Sequence, residues 1–438
     1  MILVSDVSAS DDKGIPTIVD SDLKVEQVFR GLDFPTSIAF IGPDDILVLE
    51  KDKGTVQRIT DGKMSEEPLL DVDVSHMNER GMLGIAVSKN STINSNPYVF
   101  LYYTKSQTDD DENIFNATYG VSNYLYRYEL VNNSKFLNPK LLLSTPRTTW
   151  ETWHNGGYIL IGSDNNVYVT IGDLTKFFNA TQAQNVKNGT LPNLTGGILR
   201  ITQNGEALED DVLGNIYPLN FYYAYGIRNS FGIDFDPISG KLWDTENGPY
   251  YGDEINLVEP GFNSGWSKVQ GIWKPTRDLK IGNTVLNPDS LVDFDGKGKY
   301  SVPEFIWKEP VGPTAIKFLH SDKYGKEYKD DLFVGDVNNG YLYHFDLNKD
   351  RSGLVLKGRL QDKVADTDTH DELNQIKFGE GFGEGFGGIT DIEVGPYDGL
   401  LYVVSRDGAI YRIIPQGSVD KYELEDKGGE KREDSKSD

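Results

Sequence analysis

One hairpin pattern recurs along this chain and constrains its fold more than any other feature. In each copy, an apolar, alternating strand leads to a tight turn rich in Gly, Asp or Asn, and a second strand ends near an acidic or small polar residue. Alternation of period two, broken by residues that accept turn dihedrals, is typical of antiparallel hairpins. The copies span residues 37–59, 158–173, 231–248 and 390–413, with two looser copies at 81–104 and 315–347.

The recurrence predicts an all-β fold with the architecture of a six-bladed β-propeller. Most copies start about seventy to eighty residues apart, whereas a blade typically takes roughly 40–45 residues, so long loops are expected at 106–123 and 275–300. Repeated sheets arranged in a ring leave only short, protected edges. A pair of β-sandwiches is the alternative, but it does not explain why one pattern recurs.

The two ends of the chain lack this pattern. Residues 1–24 are expected to be a loose N-terminal segment, whose first ten residues are interpreted as the remnant of a signal peptide. The propeller is expected to cover residues 25–415. Residues 416–438 are mostly charged or Gly and Ser, which predicts a disordered tail.

Composition excludes several classes of partner and site. The formal charge of −25 repels nucleic acid and anionic membranes. There is no cysteine, hence no disulfide or thiolate metal site, and no apolar stretch long enough to span a membrane. Asn-x-Ser/Thr sequons favour an extracellular, secreted or cell-surface glycoprotein, and they lie at Asn90, Asn116, Asn132, Asn179, Asn188 and Asn193.

His154 is the leading candidate for a catalytic base. It is one of five histidines and lies in Trp-His-Asn-Gly-Gly, just before the hairpin that ends at Asp173. A carboxylate beside a histidine fixes its tautomer and stabilises its protonated form. A structural histidine is the alternative interpretation.

Three further segments carry polar groups suited to a site. Arg228 and Asn229 supply fixed donors for an anionic or carbonyl group, although most arginines are solvated surface residues. The stretch 246–256 has a Gly-Pro turn and an Asp-Glu pair, which offer the hard oxygen ligands that Ca²⁺ prefers, or simply form an acidic turn. Glu79 and Arg80 precede a buried strand, where a surface ion pair is the simpler explanation.

Taken in order, these motifs resemble the glucose/sorbosone dehydrogenase family, which includes soluble quinoprotein glucose dehydrogenases and aldose sugar dehydrogenases. The family fold is a six-bladed propeller, in agreement with the repeat. The matching stretches are 79–87, 153–173, 195–201, 223–237, 246–266 and 387–404.

The resemblance implies oxidation of the anomeric hydroxyl of an aldose to a lactone, by hydride transfer to pyrroloquinoline quinone (PQQ) with Ca²⁺ as a second cofactor. An external electron acceptor would then reoxidise the quinone. The resemblance implies that His154 is the base, that Asp173 orients it and that Arg228 is a cation for the reduced quinone. It implies that Asn229, Asn247 and Trp307 bind the cofactor and that Glu79 contacts the substrate. The implied metal ligands are Gly248, Pro249, Asp253 and Glu254.

The chain departs from the family pattern where PQQ-binding members carry cations. Asn338, Gly388 and Thr390 stand at or near those positions, and Lys308 and Lys317 are the candidates to compensate. A non-catalytic, Ca²⁺-stabilised propeller that binds a glycan or a protein partner is therefore the alternative function. A positive pocket beside His154 would favour PQQ, and a uniformly acidic one would favour the binding module.

Overall fold

Nearly all regular structure in the described part of this chain is β-strand, as the alternating pattern predicts. The computed structural model describes residues 14–88, 96–175, 181–209, 212–366, 372–380 and 386–417. Within these ranges the helical residues are three short 3₁₀ turns and residues 372–373, which are α-helical, and no helix is long and apolar enough to cross a bilayer. The turns are η1 (Gln182–Gln184), η2 (Leu219–Phe221) and η3 (Gly358–Asp362).

The strands follow one another with short connections in most places. In chain order they are β1 (Thr17–Ile18), β2 (Leu23–Arg30), β3 (Pro35–Gly42), β4 (Asp45–Glu50), β5 (Thr55–Thr60), β6 (Lys63–Met64), β7 (Leu70–Asp71), β8 (Met82–Val87), β9 (Tyr98–Thr104), β10 (Asn123–Val131), β11 (Lys135–Ser144), β12 (Ile159–Ile161), β13 (Val167–Ile171), β14 (Gly197–Ile201), β15 (Tyr222–Tyr225) and β16 (Ser230–Phe235). They continue with β17 (Leu242–Glu246), β18 (Asp253–Val258), β19 (Phe262–Asn263), β20 (Trp273–Pro275), β21 (Ile281–Thr284), β22 (Lys299–Tyr300), β23 (Phe305–Trp307), β24 (Pro313–Phe318), β25 (Leu332–Asp336), β26 (Leu342–Phe345), β27 (Val364–Ala365), β28 (Lys377–Glu380), β29 (Ile389–Val394), β30 (Leu401–Ser405) and β31 (Ala409–Pro415).

These strands form separate, mainly antiparallel sheets in a propeller-like arrangement. Apart from the two-stranded hairpin β20–β21, each sheet in the described ranges begins at an edge strand taken from one hairpin copy, namely β3, β8, β12, β16, β24 or β29. These edge strands contact one another in that order, and β29 contacts β3, so the contacts return to their starting point. The protein is therefore all-β, with its sheets placed around a common axis.

The core lies between neighbouring sheets rather than in one central layer. Strand β9 shows why, because successive residues of a strand point to opposite faces. Phe100 and Tyr102 pack into the apolar cluster shared with β12 and β13, whereas Leu101 and Tyr103 pack into the cluster shared with β4 and β5. Each sheet is thus covered on both faces.

An early strand and the last strand of the described residues meet in one sheet. Strand β2 pairs with β31 in antiparallel register from Leu23↔Pro415 to Arg30↔Ala409, and β1 pairs with β28. The sequence-based boundary near residue 24 falls inside β2. Most of the predicted C-terminal tail and residues 1–13 lie outside the described residues.

Candidate active site

A pocket of about 580 Å³ opens at one end of the edge strands. Its walls come from equivalent places in the repeat, because each hairpin brings the start of its first strand beside the end of its second. Thr36, Leu83, Phe231, Thr314 and Thr390 belong to the starts of edge strands, and Lys51, Asn247, Val337 and Arg406 each follow the end of a second strand.

His154 and Asp173 form the predicted pair in this pocket. The Nδ1 atom of His154 lies 2.6 Å from Oδ1 of Asp173. His154 adopts a left-handed backbone conformation (φ 59°), and a β-carbon at Gly172 would come within 2.2 Å of its carbonyl oxygen. Only glycine at position 172 therefore lets the His154 loop approach this closely.

Asp173 is held by donors that also fix the histidine tautomer. Its Oδ2 accepts hydrogen bonds from Nε2 of Gln184 and Nε1 of Trp266, both at 2.8 Å, and the carboxylate is fully buried. An ionised carboxylate only accepts hydrogen bonds, so Nδ1 of His154 must donate, and Nε2 carries the lone pair. Nε2 of His154 makes no hydrogen bond to any part of the chain that the structure describes, and it is available to accept a proton.

Glu79 and Asn229 position the His154 loop. One oxygen of Glu79, Oε2, accepts hydrogen bonds from the backbone N of His154 (2.6 Å) and from Nδ2 of Asn229 (3.1 Å). Oδ1 of Asn229 accepts a hydrogen bond from the backbone N of Gly156 (3.1 Å). Arg80 does not form the expected surface ion pair, because its side chain is buried and donates to Thr148 and to the Glu151 carbonyl.

Arg228 is buried beside the pair and is tied to the Gly-Pro turn. Its Nη1 donates to the carbonyl oxygens of Asn247 (2.8 Å) and Gly248 (2.9 Å), and its guanidinium lies over the ring of Trp266. Burial lowers the pKa of Arg228, and nearby carboxylates, first Asp173, oppose that shift. The side chain therefore keeps its positive charge at neutral pH.

The Gly-Pro turn presents oxygen atoms to the pocket. Asn247, Gly248, Pro249 and Asp253 all line it. The Asp253 carboxylate accepts hydrogen bonds from three backbone N–H groups, each at 2.8 Å, and burial raises the pKa of Asp253 to about 6. The side-chain oxygen of Asn247 is buried and accepts no hydrogen bond from the described residues.

Two of the predicted site residues lie away from the pocket. Glu254 points to the opposite face of its strand from Asp253, where Gln270 and the backbone N of Gly271 donate to it. Trp307 is buried in an aromatic cluster with Phe305, Tyr343 and Phe345. The structure therefore corrects the assignment of Trp307, since its ring is enclosed by the core and does not line the pocket.

The candidate compensating lysines also fail to reach the pocket. Lys308 lies 3.6 Å from Asp366, and Lys317 is buried, 3.0 Å from Glu393 and 3.7 Å from Asp234. Asn338 and Thr390 do line the pocket, but each donates to a backbone carbonyl, Asn338 to Pro310 and Thr390 to Pro35.

The sequence interpretation missed Lys51 and Arg406, which both line the pocket. Each directly follows the second strand of a hairpin copy, in Glu50-Lys51-Asp52 and Ser405-Arg406-Asp407. Aligning the copies would have found them, because Asn247 occupies the same place in its own copy. With Arg228, the described lining holds three cations, and its two carboxylates, Glu79 and Asp253, are occupied by N–H donors. The charge of this lining is thus opposite in sign to that of the whole chain.

This chain is similar in sequence to two named sugar dehydrogenases. The aldose sugar dehydrogenase YliI of Escherichia coli is 24% identical over 407 residues, which cover 90% of this chain and 93% of that protein. The quinoprotein glucose dehydrogenase B of Acinetobacter calcoaceticus is 30% identical over 262 residues, 56% of this chain and 52% of that protein.

The PQQ-bound aldose sugar dehydrogenase of Streptomyces coelicolor shares the fold, with a TM-score of 0.61 at 20% identity over 90% of this chain and 99% of its own. The model of the Glucose / Sorbosone dehydrogenase family matches residues 32–412. That match takes in the hairpin copies, the last of them except for its final residue, and the described lining of the His154 pocket, and the chain belongs to the glucose/sorbosone dehydrogenase family.

Proposed function

We propose that this protein is a PQQ- and Ca²⁺-dependent aldose dehydrogenase built on a six-bladed β-propeller. The closed cycle of contacts among the edge strands β3, β8, β12, β16, β24 and β29 supports six blades. The observation that carries the activity is the His154–Asp173 pair, whose Nε2 is available in a pocket that also holds Arg228.

The pocket suits a planar, anionic cofactor. Its volume of about 580 Å³ lies within the roughly 300–1,000 Å³ usual for small-molecule sites. PQQ is an aromatic tricarboxylate, and the described lining offers three cations together with the aromatic rings of Phe34, Trp153, Phe231 and Tyr250. When bound, PQQ supplies the two-electron acceptor for the hydride that leaves the anomeric carbon.

The Gly-Pro turn offers oxygen ligands for a Ca²⁺ ion beside that cofactor. The buried Oδ1 of Asn247 accepts no hydrogen bond from the described residues, as expected of an oxygen that would bind a cation. The Gly248 carbonyl uses one lone pair on Arg228 and keeps a second, and Pro249 adds another carbonyl. In this family a bound Ca²⁺ would polarise a quinone carbonyl.

The protein's own residues would handle the proton and the charge. Nε2 of His154 accepts the proton of the anomeric hydroxyl as hydride leaves the carbon, and Asp173 stabilises the imidazolium that forms. Gln184 and Trp266 keep Asp173 in place during that step. Arg228 provides a fixed positive charge where negative charge develops. The sugar leaves as a lactone, and the electrons pass to an external acceptor.

Reconstitution tests the proposal directly. The purified protein is mixed with PQQ and CaCl₂, and reduction of an artificial dye is followed with a panel of aldoses. We expect dye reduction that needs PQQ and an aldose, with mannitol as a control because it has no anomeric hydroxyl. A protein that binds no PQQ and reduces dye with none of the sugars would contradict the proposal and favour the non-catalytic binding module.

Changing Asp173 to Asn should lower kcat by about three orders of magnitude. Gln184 and Trp266 both donate to Oδ2, so an Asn side chain would place its carbonyl oxygen there and turn its NH₂ toward His154. Nδ1 would then accept, and Nε2 would carry the proton and lose its ability to act as a base. Steady-state kinetics together with a PQQ titration measure this effect. Activity within tenfold of wild type would contradict the tautomer assignment.

We also propose an extracellular address with N-glycosylation. Asn116, Asn132 and Asn188 are exposed and Asn193 is half-buried, whereas Asn90 and Asn179 lie outside the described residues. A mass shift on enzymatic deglycosylation of the native protein tests this, and an unmodified mass would contradict it.

A further inference from the structure

Arg406 is a cation in the pocket that the mechanism above does not use. It is the first residue after β30, its side chain is exposed, and it lines the same pocket as His154. Within the described part of the chain its guanidinium makes no hydrogen bond or ion pair. A guanidinium has five N–H donors in a rigid fork that matches a carboxylate. A solvated arginine on the surface would also lack protein partners. The residues around Arg406 must therefore show whether it is placed to bind a ligand.

Position 388, where family members that bind PQQ carry a cation, has no room for a side chain in this protein. The φ of Gly388 is +87°, and a β-carbon there would lie 2.8 Å from the carbonyl oxygen of Val337, so a side chain does not fit. The same β-carbon position is 3.4 Å from Cζ of Arg406, whose backbone N donates to the Gly388 carbonyl. The guanidinium of Arg406 thus occupies space beside the residue where family members that bind PQQ carry an arginine.

The other charged groups of the pocket are already engaged. Lys51 donates to Asp52 and to the carbonyl of His76, and its ammonium lies 4.7 Å from the centroid of the Phe34 ring. Arg228 is tied to the Gly-Pro turn. Among the described cations of the lining, Arg406 is therefore the one whose charged group makes no hydrogen bond or ion pair to the described residues.

We propose that Arg406 binds a carboxylate of the cofactor and replaces the cations absent at residues 388 and 390. The proposal rests on the function proposed above, because it assigns a residue to PQQ. The positive charge comes from the turn after β30. In the family it usually comes from the start of the preceding strand, which is β29 in this protein.

A binding titration tests the assignment without any turnover. The apo protein in CaCl₂ is titrated with PQQ and followed by quenching of tryptophan fluorescence, for wild type, Arg406→Gln, Arg406→Lys and Arg359→Gln. Arg359 is an exposed arginine of η3 outside the pocket lining and serves as the matched control. Thermal melts show that each variant is folded.

We expect Arg406→Gln to raise the Kd for PQQ about tenfold, as the loss of one charge-assisted carboxylate contact should. Arg406→Lys should be intermediate, and Arg359→Gln should match wild type. The gap between wild type and Arg406→Gln should shrink at high salt, because an exposed charge is screened. Equal Kd values for wild type and Arg406→Gln would overturn this assignment and leave the proposed function standing. A wild-type protein that binds no PQQ would overturn both.

Discussion

Replacing His154 should lower the rate of sugar oxidation by about 10³-fold while leaving the Kd for PQQ within about twofold of wild type. The side chain meets Asp173 through Nδ1 and offers Nε2 to the pocket, so its removal deletes the base without removing a cation from the pocket. His154→Ala is the direct test. Because residue 154 has a left-handed backbone, His154→Asn is the better-tolerated variant, since Asn adopts that conformation readily.

The chain contains its own control for this prediction. His320 also has Nδ1 within hydrogen-bonding distance of a carboxylate, Asp330, at 2.5 Å, but it is exposed and lies outside the pocket lining. His320→Ala should retain wild-type kinetics. Dye reduction by His154→Asn at more than a tenth of the wild-type rate would show that another group takes the proton.

Replacing Lys317 by Met should lower the free energy of unfolding at pH 7.5 by about 3–5 kcal/mol. Lys317 is buried in β24 between Asp234 and Glu393, with Asp391 close by. Burial alone would lower the pKa of Lys317, but these carboxylates raise it well above its usual value. Without the ammonium, the buried carboxylates would have no compensating cation.

The destabilisation should depend on pH in a definite direction. Burial raises the pKa of Asp234 to about 6 and that of Asp391 to about 7, whereas an unfolded Asp titrates near 4. The folded state therefore holds more protons than the unfolded state between about pH 4 and 7, and its stability falls as the pH rises through that window. At pH 5 these carboxyls are largely neutral, so Lys317→Met should lower the free energy of unfolding by less at pH 5 than at pH 7.5.

Urea unfolding at pH 5 and pH 7.5 measures both effects. Lys326→Met is the control, because Lys326 is exposed and its loss should change stability by less than about 0.5 kcal/mol. An equal loss of stability at the two pH values would contradict the buried-carboxylate explanation.

Local sequence pattern was enough to predict the strands and the pairing of His154 with Asp173. The alternation marks strands directly, and the hairpin from residue 158 to 173 returns the chain to the place where it began, which brings Asp173 to His154. The alternation does not show how far from the pocket a strand lies within its sheet. Trp307 follows a polar loop as a pocket residue would, yet it lies on the fourth strand of its sheet, far enough out to be enclosed by Phe305 and Tyr343.

Aligning the hairpin copies places Lys51 and Arg406 at the same end of their strands, but the neighbours of Arg406 in the pocket depend on closure of the ring. Arg406 reaches the site because β29 packs against β3, a contact between segments about 350 residues apart, as the hydrogen bond from Thr390 to the Pro35 carbonyl shows. No short stretch of the sequence contains both β29 and β3, so local pattern does not predict this contact. Gly388 illustrates the same limit, since the Val337 carbonyl that excludes a side chain there belongs to a different sheet.

The pairing of β2 with β31 also determines when the pocket can exist during synthesis. The last sheet needs the strand at Ala409–Pro415 to join the one at Leu23–Arg30, so nearly the whole chain must leave the ribosome before the ring closes. Pairing over so long a separation carries a large loop-closure entropy and folds slowly. A nascent chain that stops short of residue 409 would hold His154 and Asp173 together in their own hairpin, yet it would lack the final wall against which a cofactor could be retained.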